Sequence, residues 1–241
     1  ASNMAYNNLG IRLAASSMKV TNGTGYNTHL MPELMYGLSS KIMLHTTAFL
    51  SNRNSSLATE GGSLYLKYKF INKDDVQRHF RVAAYGRYSF NNADIHQEEI
   101  NLYGHNTGYE TGIVATQLLH KVAISSSISY SKALDNSNNN KFPSTQNSSA
   151  INYTLSVGKL MLPKKYTSYE QPNINLMCEF LGQTLTPNSK SFLDIAPSIQ
   201  LILKSKIRID VGYRQQLYSN MLRTAPNGLV LRFEYNFFNT F

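Results

Sequence analysis

The sequence predicts an all-β protein, a transmembrane up-and-down antiparallel β-barrel of about 12 strands forming a single domain over residues 1–241. Three observations carry that expectation. Apolar and polar residues alternate with period two in about a dozen successive segments, and no helical period competes. Longer Asn-, Ser- and Gly-rich connections take turns with short ones that carry Lys. Tyr and Phe gather at the segment ends, as in chains that cross a bilayer with strands.

The first segment sets Leu9, Ile11, Leu13 and Ala15 against Gly10, Arg12, Ala14 and Ser16. Leu30, Pro32, Leu34 and Tyr36 then oppose Met31, Glu33 and Met35, and Ile42, Leu44, Thr46, Ala48 and Leu50 oppose Met43, His45, Thr47 and Phe49. The fourth is clearer, with Leu64, Leu66, Tyr68 and Phe70 against Ser63, Tyr65, Lys67 and Lys69. In the fifth, Phe80, Val82, Ala84, Tyr88 and Phe90 face away from Arg81, Ala83, Tyr85 and Arg87. The sixth, from about Tyr109 to Leu119, is ambiguous in phase.

The seventh has Val122, Ile124, Ile128 and Tyr130 on one side and a column of Ser125, Ser127, Ser129 and Ser131 on the other. Ile151, Tyr153, Leu155 and Val157 follow, then Ile174, Leu176, Cys178 and Phe180 opposite Glu179. The last three carry Leu193, Ile195, Ile199 and Leu201 opposite Asp194; Ile207, Ile209, Val211 and Tyr213 opposite Arg208, Asp210 and Arg214; and Leu229 to Phe237 opposite Arg232 and Glu234. Pro32 and Pro197 lack the ladder N–H, so a local bulge is expected at each.

A soluble two-sheet sandwich would alternate as well. Against it, charged residues make up only 15% of the chain, where soluble domains carry roughly 25%. The polar faces hold small neutral residues and isolated charges of both signs. The aromatics form two expected belts: Tyr36, Tyr68, Phe70, Tyr235 and Phe237 at the short-turn end, and Tyr88, Phe90, Tyr109, Tyr130 and Tyr153 at the other. No apolar run is long enough for a spanning helix. An all-strand span must close on itself, because hydrocarbon offers no partner for an open edge.

An even strand count with both ends at the short-turn side matches outer-membrane barrels. The expected location is therefore the outer membrane, with both termini periplasmic and lipid and lipopolysaccharide around the wall. Ala1 in place of Met fits a mature chain after signal-peptide removal, and equally a shortened one. Phe237 and Phe238 near the end resemble the C-terminal recognition signal of such proteins, with Phe241 three residues beyond. The single Cys178 rules out an intramolecular disulfide. A net charge of +9 is scattered with no Lys/Arg run, which argues against nucleic acid as a partner.

The inward phase collects eight positive residues: Arg12, Lys67, Lys69, Arg81, Arg87, Arg208, Arg214 and Arg232. Six acids stand against them: Glu33, Glu110, Glu179, Asp194, Asp210 and Glu234. Those on the last strands are placed to pair across the ladder. Such a set either fills the interior as an ion-pair network or lines a slender pore whose positive excess favours small anions.

His45 is the mid-strand histidine, and no His-x-Ser motif stands near it, so no catalytic residue is assigned and no enzyme is expected. The stretch "ADIHQEEINLYGHN" groups Asp94, His96, Glu98, Glu99 and His105, whose spacing matches no zinc or calcium pattern. No metal and no cofactor is assigned.

At "LPKKYTSYEQPNINLMCEFLGQ", "APSIQLIL", "VGYRQQLYSNMLRTAPNGLVLRFEYNFFN" and "HLMPELMYGLSSKIMLHTTAFLSN", the chain resembles Gram-negative outer-membrane barrels of the transporter group. They are similar to the outer-membrane family linked to meta-pathway phenol degradation. The resemblance implies a role in uptake of small solutes, aromatic ones among them, and carries over no functional residue. The expectation is a narrow passive channel with a mixed-charge lumen. The alternative is a closed barrel serving as a structural or assembly subunit among protein partners in a larger outer-membrane complex.

Overall fold

The computed structural model describes residues 4–21, 23–52, 56–76, 78–163, 168 and 170–238. Its strands are β1 (Leu9–Lys19), β2 (Tyr26–Gly37), β3 (Ile42–Ser51) and β4 (Ala58–Asp75). Then come β5 (Arg78–Asn91), β6 (Thr107–Leu119), β7 (Val122–Leu134) and β8 (Ser149–Leu162). The chain finishes with β9 (Asn173–Thr186), β10 (Ser191–Leu203), β11 (Ile207–Ser219) and β12 (Asn227–Phe237). Each pairs antiparallel with its chain neighbour, and β12 pairs with β1 to close the barrel. The closing ladder is continuous from Leu9 opposite Phe237 to Lys19 opposite Asn227. Phe241 lies outside the described residues, as do parts of the β3–β4 and β8–β9 connections.

The molecule is inside-out relative to a soluble protein. Ile11, Leu34, Leu64, Ile128, Ile199, Leu229 and Leu231 lie exposed on the outer wall, while Glu33, Asp194 and Glu234 are buried. An apolar band of this extent is stable only against an apolar solvent, so the wall spans a bilayer. Of the expected aromatic belts, Tyr68, Phe70 and Phe237 stand exposed at the short-turn end and Tyr88, Phe90, Tyr109, Tyr130 and Tyr153 at the other; Tyr36 and Tyr235 are half-buried. The register resolves the phase of β6. Glu110 sits opposite Arg87 on β5, facing inward, and Tyr109 sits opposite Tyr88, facing out.

The prolines do not produce bulges. Pro32 pairs in register with Leu13 of β1, and towards β3 the register is the same on either side of it, with the pairs at Met31 and Pro32 missing. Pro197 likewise pairs with Cys178, while the β11 ladder skips Ala196 and Pro197 without a shift. A strand residue aims its N–H at one neighbour only, so a proline interrupts one ladder and leaves the other whole. Register shifts fall instead at Phe49/Leu50, Lys69/Ile71, Leu160/Leu162 and Leu193/Asp194.

The stretch "NKDDVQRH" reads as a loop but is mostly strand. β4 and β5 run on as a hairpin that ends in exposed polar residues from Asn72 to Asp75. Asp74 ties its tip, accepting hydrogen bonds from Asn72 and Arg81 and lying 2.8 Å from the His79 ring. Outside the bilayer a paired backbone needs no apolar face, so the ladder continues where the alternation fades.

Glycine is required near the long-loop ends of β4 and β6. Gly61 and Gly108 have φ of 155° and 154°. A Cβ would land on the carbonyl oxygen of Phe90 at the first and of Lys132 at the second. Gly108→Ala therefore costs about 1–3 kcal/mol of backbone strain. Urea unfolding in detergent micelles should show the lower midpoint, and an unchanged midpoint would refute the assignment.

Candidate functional site

Directly opposed residues on neighbouring strands share a face, so register alone brings several inward charges together. Arg12 stands opposite Glu33 on β2 and Glu234 on β12. It donates to Glu33 at 2.9 Å and to Glu234 at 2.7 and 3.0 Å. One arginine thus bridges both neighbours of the closing strand. Glu33 also accepts from Thr47 at 3.2 Å and from the Tyr103 hydroxyl at 3.1 Å, and lies 2.8 Å from Nδ1 of His45. Glu234 takes a further bond from Asn236 and lies 3.4 Å from Arg208. A buried carboxylate is tolerable only when its oxygens are satisfied in this way.

The same logic places the other residues. Arg232 faces Asp210 across β11 and β12, 3.5 Å apart. Arg214 donates to Asp194 at 2.7 Å. Arg87 stands 3.9 Å from Glu110, with its guanidinium over the rings of Tyr103 and Tyr65 at 4.8 and 5.4 Å. Glu110 takes its hydrogen bonds from Ser129 and Tyr85. Lys67 is buried on the inner face of β4, and Lys69 follows half-buried towards the rim. Arg81 binds Asp74 of the protruding hairpin. Glu179 faces inward from β9.

The part that sequence reasoning missed is the path of the β5–β6 connection, residues 92–106. It reads as an outside loop and instead folds into the barrel. Ile100 and Leu102 bury against an apolar patch made by Ala133, Ala150, Leu185 and Phe192 of the inner wall and Met221 of the β11–β12 connection. The Gln183 side chain binds both the N–H and the C=O of Ile100, at 2.9 and 2.8 Å, as a neighbouring strand would. Ser89 donates to the Leu102 carbonyl. The signal was present in the apolar residues of a supposedly solvated loop, and in Leu185 and Phe192 on the inward phase.

Two arginines lock the loop. Arg223, in the β11–β12 connection, grips Asp194 with both amino nitrogens at 2.8 Å and donates to Glu99 at 2.7 Å. Its guanidinium stacks 3.8 Å over the Phe192 ring. Arg214 reaches Glu99 at 3.4 Å. Beside them Glu98 accepts from Lys190 at 2.6 Å and from the Leu222 amide at 2.9 Å. Burial opposes the charge of Glu99, yet Arg214 and Arg223 outweigh it and hold this carboxyl below the usual carboxylate range. Burial and then the Glu33 charge push the Tyr103 phenol up to about 12, so it donates as a neutral hydroxyl.

The five residues that suggested a metal set part company. Glu98 and Glu99 are taken by cations, His105 packs at a tilt against His29 with centroids 4.6 Å apart, and Asp94 and His96 pair at the surface. Among the described residues no group of three His, Cys, Asp or Glu side chains converges on one point.

Two cavities lie in the lumen. One, of about 400 Å³, opens towards the long loops and is lined on one side by Gln97, Glu99, Asn101, Tyr103 and His105, alternate residues of the inserted loop. The other, of about 500 Å³, lies towards the short turns between Arg12, Lys67 and Arg87 on one wall and Ser125, Ser127, Thr154 and Ser156 on the other. Of the serine column, Ser125 and Ser127 leave space where larger side chains would fill it, while Ser129 and Ser131 are buried against Glu110 and Asn152. Tyr103, Glu179 and Arg232 line both cavities.

At the level of sequence, no protein-family profile and no curated protein matches the chain. Solved structures do. The chain is similar to the NanC porin, with a TM-score of 0.57 and 11% identity over 95% of this chain and 98% of that one. It is similar to the COG4313 outer membrane channel from Pseudomonas putida F1, with a TM-score of 0.59 and 12% identity over 98% and 97%. The β domain of the Bordetella autotransporter Brka gives 0.53 and 10% identity over 97% and 100%. At these identities the likeness establishes the fold, a closed antiparallel barrel of the outer-membrane kind.

Removing one partner of a buried ion pair strands the other charge, at about 3–5 kcal/mol. Arg223→Gln should therefore free the loop, read as faster hydrogen exchange at residues 97–104. The wild-type loop has its own pH dependence. Glu98 and Glu99 sit below their ordinary values in place, so their anchorage is complete above the usual carboxylate range and is lost as pH falls through the lowered values. Exchange that stays equally slow into strong acid would contradict this.

Proposed function

We propose that the protein is an outer-membrane channel that passively admits small polar solutes, with both termini in the periplasm. The observation that carries this reading is the meeting of the two lumen cavities at Tyr103, Glu179 and Arg232. The lumen thus holds two adjoining spaces, one towards the long loops and one towards the short turns. Arg12, Glu33, His45, Lys67, Arg87, Glu110, Glu179 and Arg232 face the short-turn cavity and give it a mixed-charge surface. Charged rings of this kind tune selectivity in channels, while the loop narrows the bore and sets the size limit.

Nothing in the reading calls for a catalyst, since His45 is bonded to Glu33 rather than to a serine. The porin and channel neighbours support it at the level of fold. A preference for aromatic solutes rests only on the likeness in sequence pattern to the phenol-degradation family.

A second reading, as a subunit of a larger outer-membrane complex, is favoured by the β4–β5 hairpin that carries exposed Val76 at its tip. Gentle detergent extraction followed by native mass measurement separates the two, because a subunit would bring its partner with it.

In planar bilayers the wild-type barrel should conduct ions, and in liposomes it should pass small sugars. Replacing residues 97–104 by a short Gly/Ser linker should raise conductance severalfold, because the loop occupies the bore. A barrel that passes neither ions nor sugars, with or without the loop, excludes the channel.

A further inference from the structure

Glu179 is the exception among the inward acids. Glu33, Glu99, Glu110, Asp194 and Glu234 each accept hydrogen bonds from side chains, and Asp210 has its arginine at 3.5 Å. Among the described residues Glu179 has neither a hydrogen bond nor an ion pair, although it lines both cavities at their junction. The wall around it is built from small residues, with Ala196 directly opposite on β10 and Ser198 and Gly212 nearby, so space is left in front of the carboxylate. Arg214 and Arg232 line the same cavity as Glu179.

Those two arginines differ. Arg214 is committed to Asp194 and Glu99. Arg232 leaves 47% of its side chain exposed, and its contact with Asp210 at 3.5 Å is its sole ion pair among the described residues. A guanidinium carries five N–H donors in a planar fork, so most of this one is unused. An uncommitted carboxylate and a largely uncommitted guanidinium therefore line the same passage without meeting each other. A purely anionic solute at this point meets the charge of Glu179, and a purely cationic one meets Arg232. A small solute carrying both charges satisfies both.

We propose that Glu179 and Arg232 form a subsite for small zwitterions of the α-amino acid or betaine class. The ammonium lies on Glu179 and the carboxylate on the fork of Arg232. Selection of permeant solutes by this subsite rests on the channel reading above, whereas binding to it does not.

L-Alanine, lactate and alaninamide are nearly isosteric and carry both charges, the negative one and the positive one respectively. Saturation-transfer NMR on the full chain in detergent should show alanine bound in preference to the other two. Glu179→Gln should weaken alanine by roughly tenfold, the loss expected of a hydrogen bond between charged groups, and shift preference to lactate. Arg232→Gln should shift it to alaninamide. Both variants should keep the heat-modifiable migration of a folded barrel, which separates loss of the site from loss of the fold. Equal binding of all three, or an order that neither variant alters, overturns the subsite. Alanine bound in the predicted order by a barrel that passes no solute would sink the channel and leave the subsite standing. Sugar flux with no preference for alanine would do the reverse.

Discussion

In hydrocarbon, water is absent and every backbone N–H and C=O must find its partner within the protein. That requirement closes the sheet, and the rest of this structure depends on where it closes. The seam is the β1–β12 ladder, in register from Leu9–Phe237 to Lys19–Asn227. Arg12 sits on its inner face, held between Glu33 and Glu234. Closure therefore rests on a continuous backbone ladder outside reach of water and on a side-chain bridge in the lumen. The one bridge ties the first strand to the second and to the last.

Closure also sets the character of the interior. Twelve strands enclose more space than the side chains of an eight-stranded barrel would fill, and less than the open bore of a large porin. The β5–β6 loop occupies part of that space. It docks Ile100 and Leu102 on an apolar patch of the inner wall and hands Glu99 to Arg214 and Arg223. Its opposite edge, running from Gln97 to His105 in alternate residues, becomes a wall of the long-loop cavity. The loop thus behaves as an extra inner strand, greasy towards the barrel and polar towards the cavity.

Most interior charge is committed to this architecture. The Arg223–Asp194–Glu99–Arg214 cluster and the Glu33–Arg12–Glu234 bridge hold parts of the chain together, and their hydrogen bonds are largely used. Charges left with spare capacity are then conspicuous. Glu179 and Arg232 have it, and they stand where the two cavities join. The proposed subsite draws on residues that the ion-pair architecture does not already employ.

The alternation in the sequence by itself determined the barrel. Period two is a local property, so Leu229 to Phe237 reveal which face meets lipid without knowledge of any other strand. Strand order in an up-and-down sheet is chain order, so pairs such as Arg208–Glu234 and Asp210–Arg232 were legible as neighbours on adjoining strands. The tertiary structure alone decided the path of the 92–106 loop, the role of Arg223 and the position of Tyr103 against Glu33. It also decided that Pro32 and Pro197 interrupt one ladder each without a bulge. The reason is the same in every case. A strand's face follows from its own residues, whereas the path of a loop depends on which orphan donors, carboxylates and apolar patches wait on strands far away in the chain.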